Sequence, residues 1–171
     1  SLPVLRENFY TSLIEGRIPG EKIEKYSKDY RIQIAGPYYV VTVLHINSAS
    51  AEMEPFLLAV SVRKLAEEQV GKKWDCRIFD YLGECIIITQ LKNKREVVDY
   101  TDYMDRFSKM AYPVCGATVT AGIGCVCDEI EELPLSYKGA EDAVSYRVIL
   151  GNTLAINITE VNPNIGSEPV E

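Results

Sequence analysis

The chain contains one histidine, His45, and an imidazole does acid–base work only with a partner that orients it and a group to act on. His45 closes an apolar run, Leu44-His45-Ile46-Asn47, that offers neither a carboxylate nor a nucleophile. A packed or solvated strand-end imidazole is the plainer reading. Cysteine is the next chemistry to consider. Of the five, Cys76, Cys85, Cys125 and Cys127 fall inside apolar segments, where reduced thiols act as small hydrophobes. Cys125 and Cys127 stand two apart, but a zinc site needs two further ligands and none is in view. The acids Asp128, Glu129, Glu131 and Glu132 lack the glycine turn and alternating oxygens of a calcium loop. They read as a solvated acidic loop. Gly122-Ile123-Gly124 is followed by Cys125, Val126 and Cys127 instead of a helix start, so it is a packing device and not a phosphate cradle. No metal and no cofactor is expected.

The bulk properties narrow the function classes. A formal net charge of −7 argues against a nucleic-acid surface, which needs a basic field. The one short basic cluster, Lys92, Lys94 and Arg95, reads as a solvated turn. No apolar run approaches the roughly 18 to 20 residues that span a bilayer, and no leader pattern opens the chain. The chain begins without Met, directly in helical pattern, and is read as a piece of a longer cytoplasmic protein.

The elements that would position any site follow from periodicity. Leu2, Leu5, Phe9 and Leu13 predict an amphipathic helix over 2–15, stopped by Gly16, and Pro19 opens a second helix to about Tyr30. Tyr38 to Ile46 is almost wholly apolar and β-branched, as in a strand buried on both faces. A helix over 51–70 follows. Strands from Trp74 to Tyr81 and Glu84 to Leu91, separated only by Leu82-Gly83, predict a hairpin. Val97, Tyr100, Met104, Phe107 and Ala111 step at helical spacing to Pro113, which is expected to break that helix. Val119, Ala121, Ile123, Cys125 and Cys127 would share one strand face, with Gly122 and Gly124 on the other, where a helix backbone could approach. Tyr137, Ala140, Ala143, Val144 and Val148 give the last helix, Gly151 and Asn152 its stop, and a strand to Ile158 closes the order. The expectation is a mixed α/β (α+β) domain with a sheet of about five strands and packed helices. Residues 1–36 form its N-terminal helical pair, 37–161 the body and 162–171 a linker.

That order, with PYYVVTVLHIN at the first strand and SYKGAEDAVSYRVILGN at the end, resembles the GGDEF fold of the diguanylate cyclases. It is closer to the divergent GGDEF-like domain in the middle of some bacterial transcription regulators. The resemblance implies a receiver or other sensory domain upstream and an AraC-type helix-turn-helix domain downstream. It also implies where a cyclase would keep its groups. The carboxylates that hold metal at the end of the first strand are replaced by His45 and Asn47, poor ligands for magnesium. The signature hairpin aligns with Tyr81-Leu82-Gly83-Glu84-Cys85, where only Glu84 keeps its character and bulky side chains replace glycine. The expected function is therefore a non-catalytic relay, with the flanking domains and a second copy of the chain as candidate partners. The alternative is a small-molecule or nucleotide sensor using the former cleft between His45, Asn47, Leu82, Gly83 and Glu84. An active nucleotide cyclase is the third reading.

Overall fold

The computed structural model describes residues 1–47 and 54–164. Its centre is β1 (Tyr38–Asn47), and the sheet order is β2 (Cys76–Tyr81), β3 (Glu84–Leu91), β1, β4 (Thr118–Ile123), β5 (Ala155–Asn157). All neighbours are antiparallel except β4 and β5, which run parallel. A central strand has no solvent face. Val40 and Leu44 therefore enter one core while Tyr39, Val41 and Val43 enter the other. Helices α3 (Pro55–Gln69) and α4 (Glu96–Cys115) cover the first face. The second is covered by α1 (Leu2–Glu15), α2 (Gly20–Asp29) and α5 (Leu133–Ser145). The N-terminal pair thus pads the sheet, burying Phe9, Tyr10, Leu13 and Ile14 of α1 against Val41, Val43 and Phe79. Arg63 of α3 wraps the outer edge of β2, donating to Ile78 O at 3.2 Å and Asp80 Oδ2 at 2.9 Å, and reaches Glu7 of α1. That charge discourages edge-to-edge pairing.

The approach of a helix backbone to Gly122 and Gly124 is what the structure contains. A Cβ at Gly124 would overlap the Ser136 carbonyl oxygen, and one at Gly122 the Ala140 carbonyl oxygen. With α5 this low, Ser136 Oγ accepts the Val41 N–H at 2.8 Å, just past the end of the β1–β4 ladder. On the opposite face the buried Tyr100 hydroxyl bonds Thr42 Oγ1 at 2.7 Å and Thr89 Oγ1 at 3.0 Å, so no member of that trio is left unpaired.

Several boundaries differ from the sequence reading. Pro113 lies inside α4, which runs on to Cys115 and ends at Gly116 with φ 77°. Two residues from the end, its missing N–H forfeits one bond, and glycine makes the stop. Ladder β4 ends at Ile123, so Cys127 does not share the face of Val119. It crosses to the α5 side and bridges Tyr39. Val148 is outside α5 in a separate turn, α6 (Arg147–Leu150), and is 85% exposed. The hairpin's first strand starts at Cys76, with Trp74 packed in the core, and β5 stops at Asn157 before α7 (Ile158–Val161). Of the helix expected over 51–70, residues 51–53 lie outside the described residues. No helix among the described residues is long and apolar enough to cross a membrane.

The hairpin turn carries Leu82 at φ 50° and Gly83 at φ 80°, the positive-φ pair of a type I′ turn. Leucine in that region costs about 1 kcal/mol against glycine. Leu82→Gly should raise unfolding stability by about 1 kcal/mol in urea titration; a loss of stability would show that Leu82 packs on something. Gly124→Ala should cost more than about 2 kcal/mol, because backbone and not a flexible side chain must move.

Candidate functional site

Where β1, β3 and α5 meet, polar side chains interrupt the apolar face. His45 follows Val41 and Val43 on the α5 side of β1, and Glu84 opens β3. Pairing of Leu44 with Cys85 sets them side by side, with His45 Nδ1 2.9 Å from Glu84 Oε2. Because a carboxylate only accepts, Nδ1 carries the proton and donates. Helix α5 then lays Tyr137 and Glu141, one turn apart, over the pair. The Glu141 carboxyl meets that of Glu84, while its Oε1 is buried without a hydrogen-bond partner. Beyond Tyr137 the ring of Tyr81 stands edge-on at 5.6 Å, and its hydroxyl donates to Glu15 Oε2 at 2.6 Å. Glu15 is also paired with Arg17. Polar contacts at either end, joined by the aromatic contact of Tyr137 with Tyr81, thus run from β1 across the hairpin to α1.

The electrostatics follow from two carboxyls in one partly buried place. Burial, then the Glu84 carboxyl, push Glu141 up to about 7. The negative charge of a neighbouring carboxyl disfavours ionisation of Glu141 in the same way that burial does. Burial, then the Arg147 guanidinium, hold His45 below its usual range, with Glu141 opposing. Burial, then Glu141, push the Tyr137 phenol up. The Tyr81 hydrogen bond, then Arg17, hold Glu15 below the ordinary carboxylate range. The arrangement is an imidazole donating to the Glu84 carboxyl, with the raised Glu141 carboxyl packed beside it. It can hold or pass a proton among its own members.

The residues singled out from the sequence are placed unevenly. His45 and Glu84 are brought together. Asn47 is on the same strand but spends its amide on Thr118 O, Thr120 Oγ1 and Asn152 O, at 3.3, 3.2 and 3.1 Å, pinning the loop before β5. Leu82 and Gly83 are exposed at the hairpin tip. Tyr137 was legible only as a packing residue, and Glu141 and Arg147 gave no sign. The available signal was an acid at i+4 from Tyr137 beside the small-residue stripe of Ala140 and Ala143. Among the described residues no group of three His, Cys, Asp or Glu side chains is disposed to hold a metal ion. In the acidic loop Glu129 and Glu132 form a reciprocal cap for the 3-10 turn Ile130–Glu132. Burial pushes the Cys85 and Cys127 thiols up to about 12, far from reactive thiolate.

A raised folded-state value means that Glu141 favours the fold fully below its unfolded value near 4.5, and that this is lost as pH rises through about 7. Glu141→Gln keeps the neutral shape at every pH. Its melting temperature minus that of the wild type should grow between pH 5 and pH 8; a flat difference would mean the two carboxyls do not interact.

A search of curated proteins returned no match for this chain. The model of a GGDEF-like domain matches residues 15–146, from the end of α1 through β1, the hairpin and β4 to the end of α5. Strands β1 to β4, the hairpin and the cluster of His45, Glu84 and Glu141 all lie inside that span, while β5 follows it. The chain belongs to the GGDEF-like domain family.

Proposed function

We propose that this domain is a non-catalytic relay in a bacterial transcription regulator, working in the cytoplasm between a sensory or receiver domain and an AraC-type helix-turn-helix domain. The observation that carries the reading is how the first-strand end is spent. His45 is bonded to Glu84, and the Asn47 amide to the loop before β5, so neither is free to gather metal and phosphate. A phosphoryl- or nucleotidyl-transfer site depends on charge neutralisation by metal and cations, and these side chains supply neither. The hairpin supports the same reading. Exposed Leu82 stands where the family's pattern has glycine for close backbone approach. A relay instead needs a compact body tied firmly at its ends, and α1 is built into the core through four buried side chains.

A second reading, a sensor for a small polar ligand, has one observation in its favour: the unpartnered Oε1 of Glu141 beside a partly buried His45–Glu84 pair. A hydrogen-bond donor from a ligand would complete it.

With GTP or ATP and magnesium, product chromatography should show no turnover above a blank; turnover abolished by Glu84→Ala would sink the relay reading. In a thermal-shift screen, a millimolar nucleotide or metabolite that raises the melting temperature, and does so less in Glu141→Gln, would favour the sensor. In the parent chain, excising residues 1–161 should leave DNA binding in place but indifferent to the upstream domain. Binding that still follows the upstream signal would rule the relay out.

A further inference from the structure

Helix α2 buries a single side chain, Ile23, and beside it runs a groove. Gly20, Ile23, Glu24 and Ser27, spaced by three and four along one helix face, line a cavity of about 590 Å³. Ile32, Ile34, Tyr39 and Ile130 form its other wall. The same helix face continues from Ser27 to Arg31 into a second cavity of about 410 Å³, and Ile32 and Gln33 also line both. A ten-residue helix is about 15 Å long, which sets the length of the groove between α2 and the irregular segment before β1. Volumes of this order are those of small-molecule sites.

The two cavities differ in chemistry. Four isoleucines and Tyr39 make the first largely apolar, whereas Lys28, Arg31 and Arg77 line the second. In a chain of net −7, three cations round one cavity are a local reversal of sign. Arg77 is fixed there, donating to Asp75 Oδ1 at 2.7 Å, to Cys76 O at 2.8 Å and to Gln33 O. Lys28 meets Glu24 at 3.3 Å in a pair exposed on both sides, so it is free to turn to another anion. Arg31 has no acid partner among the described residues. Its backbone stands at φ 55°, and Arg6 holds that turn by donating to Tyr30 O at 3.0 Å and Arg31 O at 3.3 Å. Non-glycine residues kept in that region cluster at ligand sites. At the apolar end Glu131 lies against Gly20, where its charge faces the positive end of the α2 dipole, so that end is not an open cation site.

We propose that this groove binds an apolar carboxylic acid, its chain or ring among the isoleucines and its carboxylate on Arg31 and Lys28. A guanidinium matches a carboxylate with two parallel hydrogen bonds, and the apolar cavity supplies the burial that a bare anion would not use. None of the lining residues belongs to the cluster of His45, Glu84 and Glu141, so the site stands or falls apart from both readings of that cluster.

Isothermal titration calorimetry on the 171-residue chain, with octanoate as probe, should show one saturable site at millimolar concentration or below. Acetate, which lacks the apolar body, and octylammonium, which reverses the charge, should each bind at least about tenfold more weakly. Arg31→Gly combined with Lys28→Ala should raise the octanoate Kd about tenfold or more. Glycine suits the φ of position 31, so the melting temperature should not fall. Lys64→Ala with Lys72→Ala, which removes the same charge at α3 and the turn after it, should leave octanoate binding unchanged. The absence of saturable octanoate binding overturns the proposal. So does acetate or octylammonium binding as well as octanoate, an affinity indifferent to the Arg31 and Lys28 changes, or one weakened equally by the Lys64 and Lys72 changes. The three probes decide the matter on the unaltered chain, whatever the variants do to folding.

Discussion

The backbone-to-backbone contact of α5 on β4 is the constraint on which most of this structure depends. Two glycines leave a trough in the sheet, and the helix drops into it until its carbonyl oxygens at Ser136 and Ala140 occupy the space of side chains. From that depth Ser136 can satisfy a β1 amide past the last ladder pair, so the central strand loses no hydrogen bond where its neighbour stops. The same depth brings the next turn, Tyr137 and Glu141, level with the hairpin. Were the helix held higher by even a methyl group, Glu141 would reach solvent and Glu84 would stand alone with His45. The close packing of small residues and the unusual protonation of a carboxyl are one fact seen at two places along α5.

The two faces of β1 solve different problems. On the α4 side, Tyr100 threads a hydroxyl between two buried threonines, a closed set in which every polar atom finds a neutral partner. On the α5 side the polar groups are ionisable, partly wet and incompletely satisfied. The first arrangement fixes the register of α4 on the sheet and has no reason to respond to anything outside. The second is poised, since burial and the neighbouring Glu84 carboxyl lift Glu141 to about 7.

Much of the fold could be read in the residues. The all-apolar run of β1 announced a central strand, Leu82-Gly83 between two apolar runs announced the hairpin, and the alternation of glycine with valine and alanine in β4 announced a helix close by. What stayed hidden was set by contacts between distant parts of the chain. Cys127 continues the alternation of Val119 in sequence, yet the chain bends after Ile123 to pair with Tyr39, and no period of two can show a bend. Pro113 looked decisive because proline interrupts helices, but its penalty depends on how much helix remains, and only two residues did. His45 was visible as a lone histidine and Glu84 as a lone acid. Their union with Glu141 depends on the strand register together with the depth of α5, and neither is a local property of the sequence.

Helix α1 carries a consequence of another kind. Its inner face, Phe9, Tyr10, Leu13 and Ile14, is buried against the sheet, and Arg6 is tied to the carbonyl oxygens of Tyr30 and Arg31. A helix turns by about 100° per residue, so rolling it by a single position would exchange that face for Val4 and Leu5 and strip the core beneath. A twist of α1 about its own axis therefore uncovers four core side chains at once, while its far end meets the hairpin through the Tyr81–Glu15 hydrogen bond.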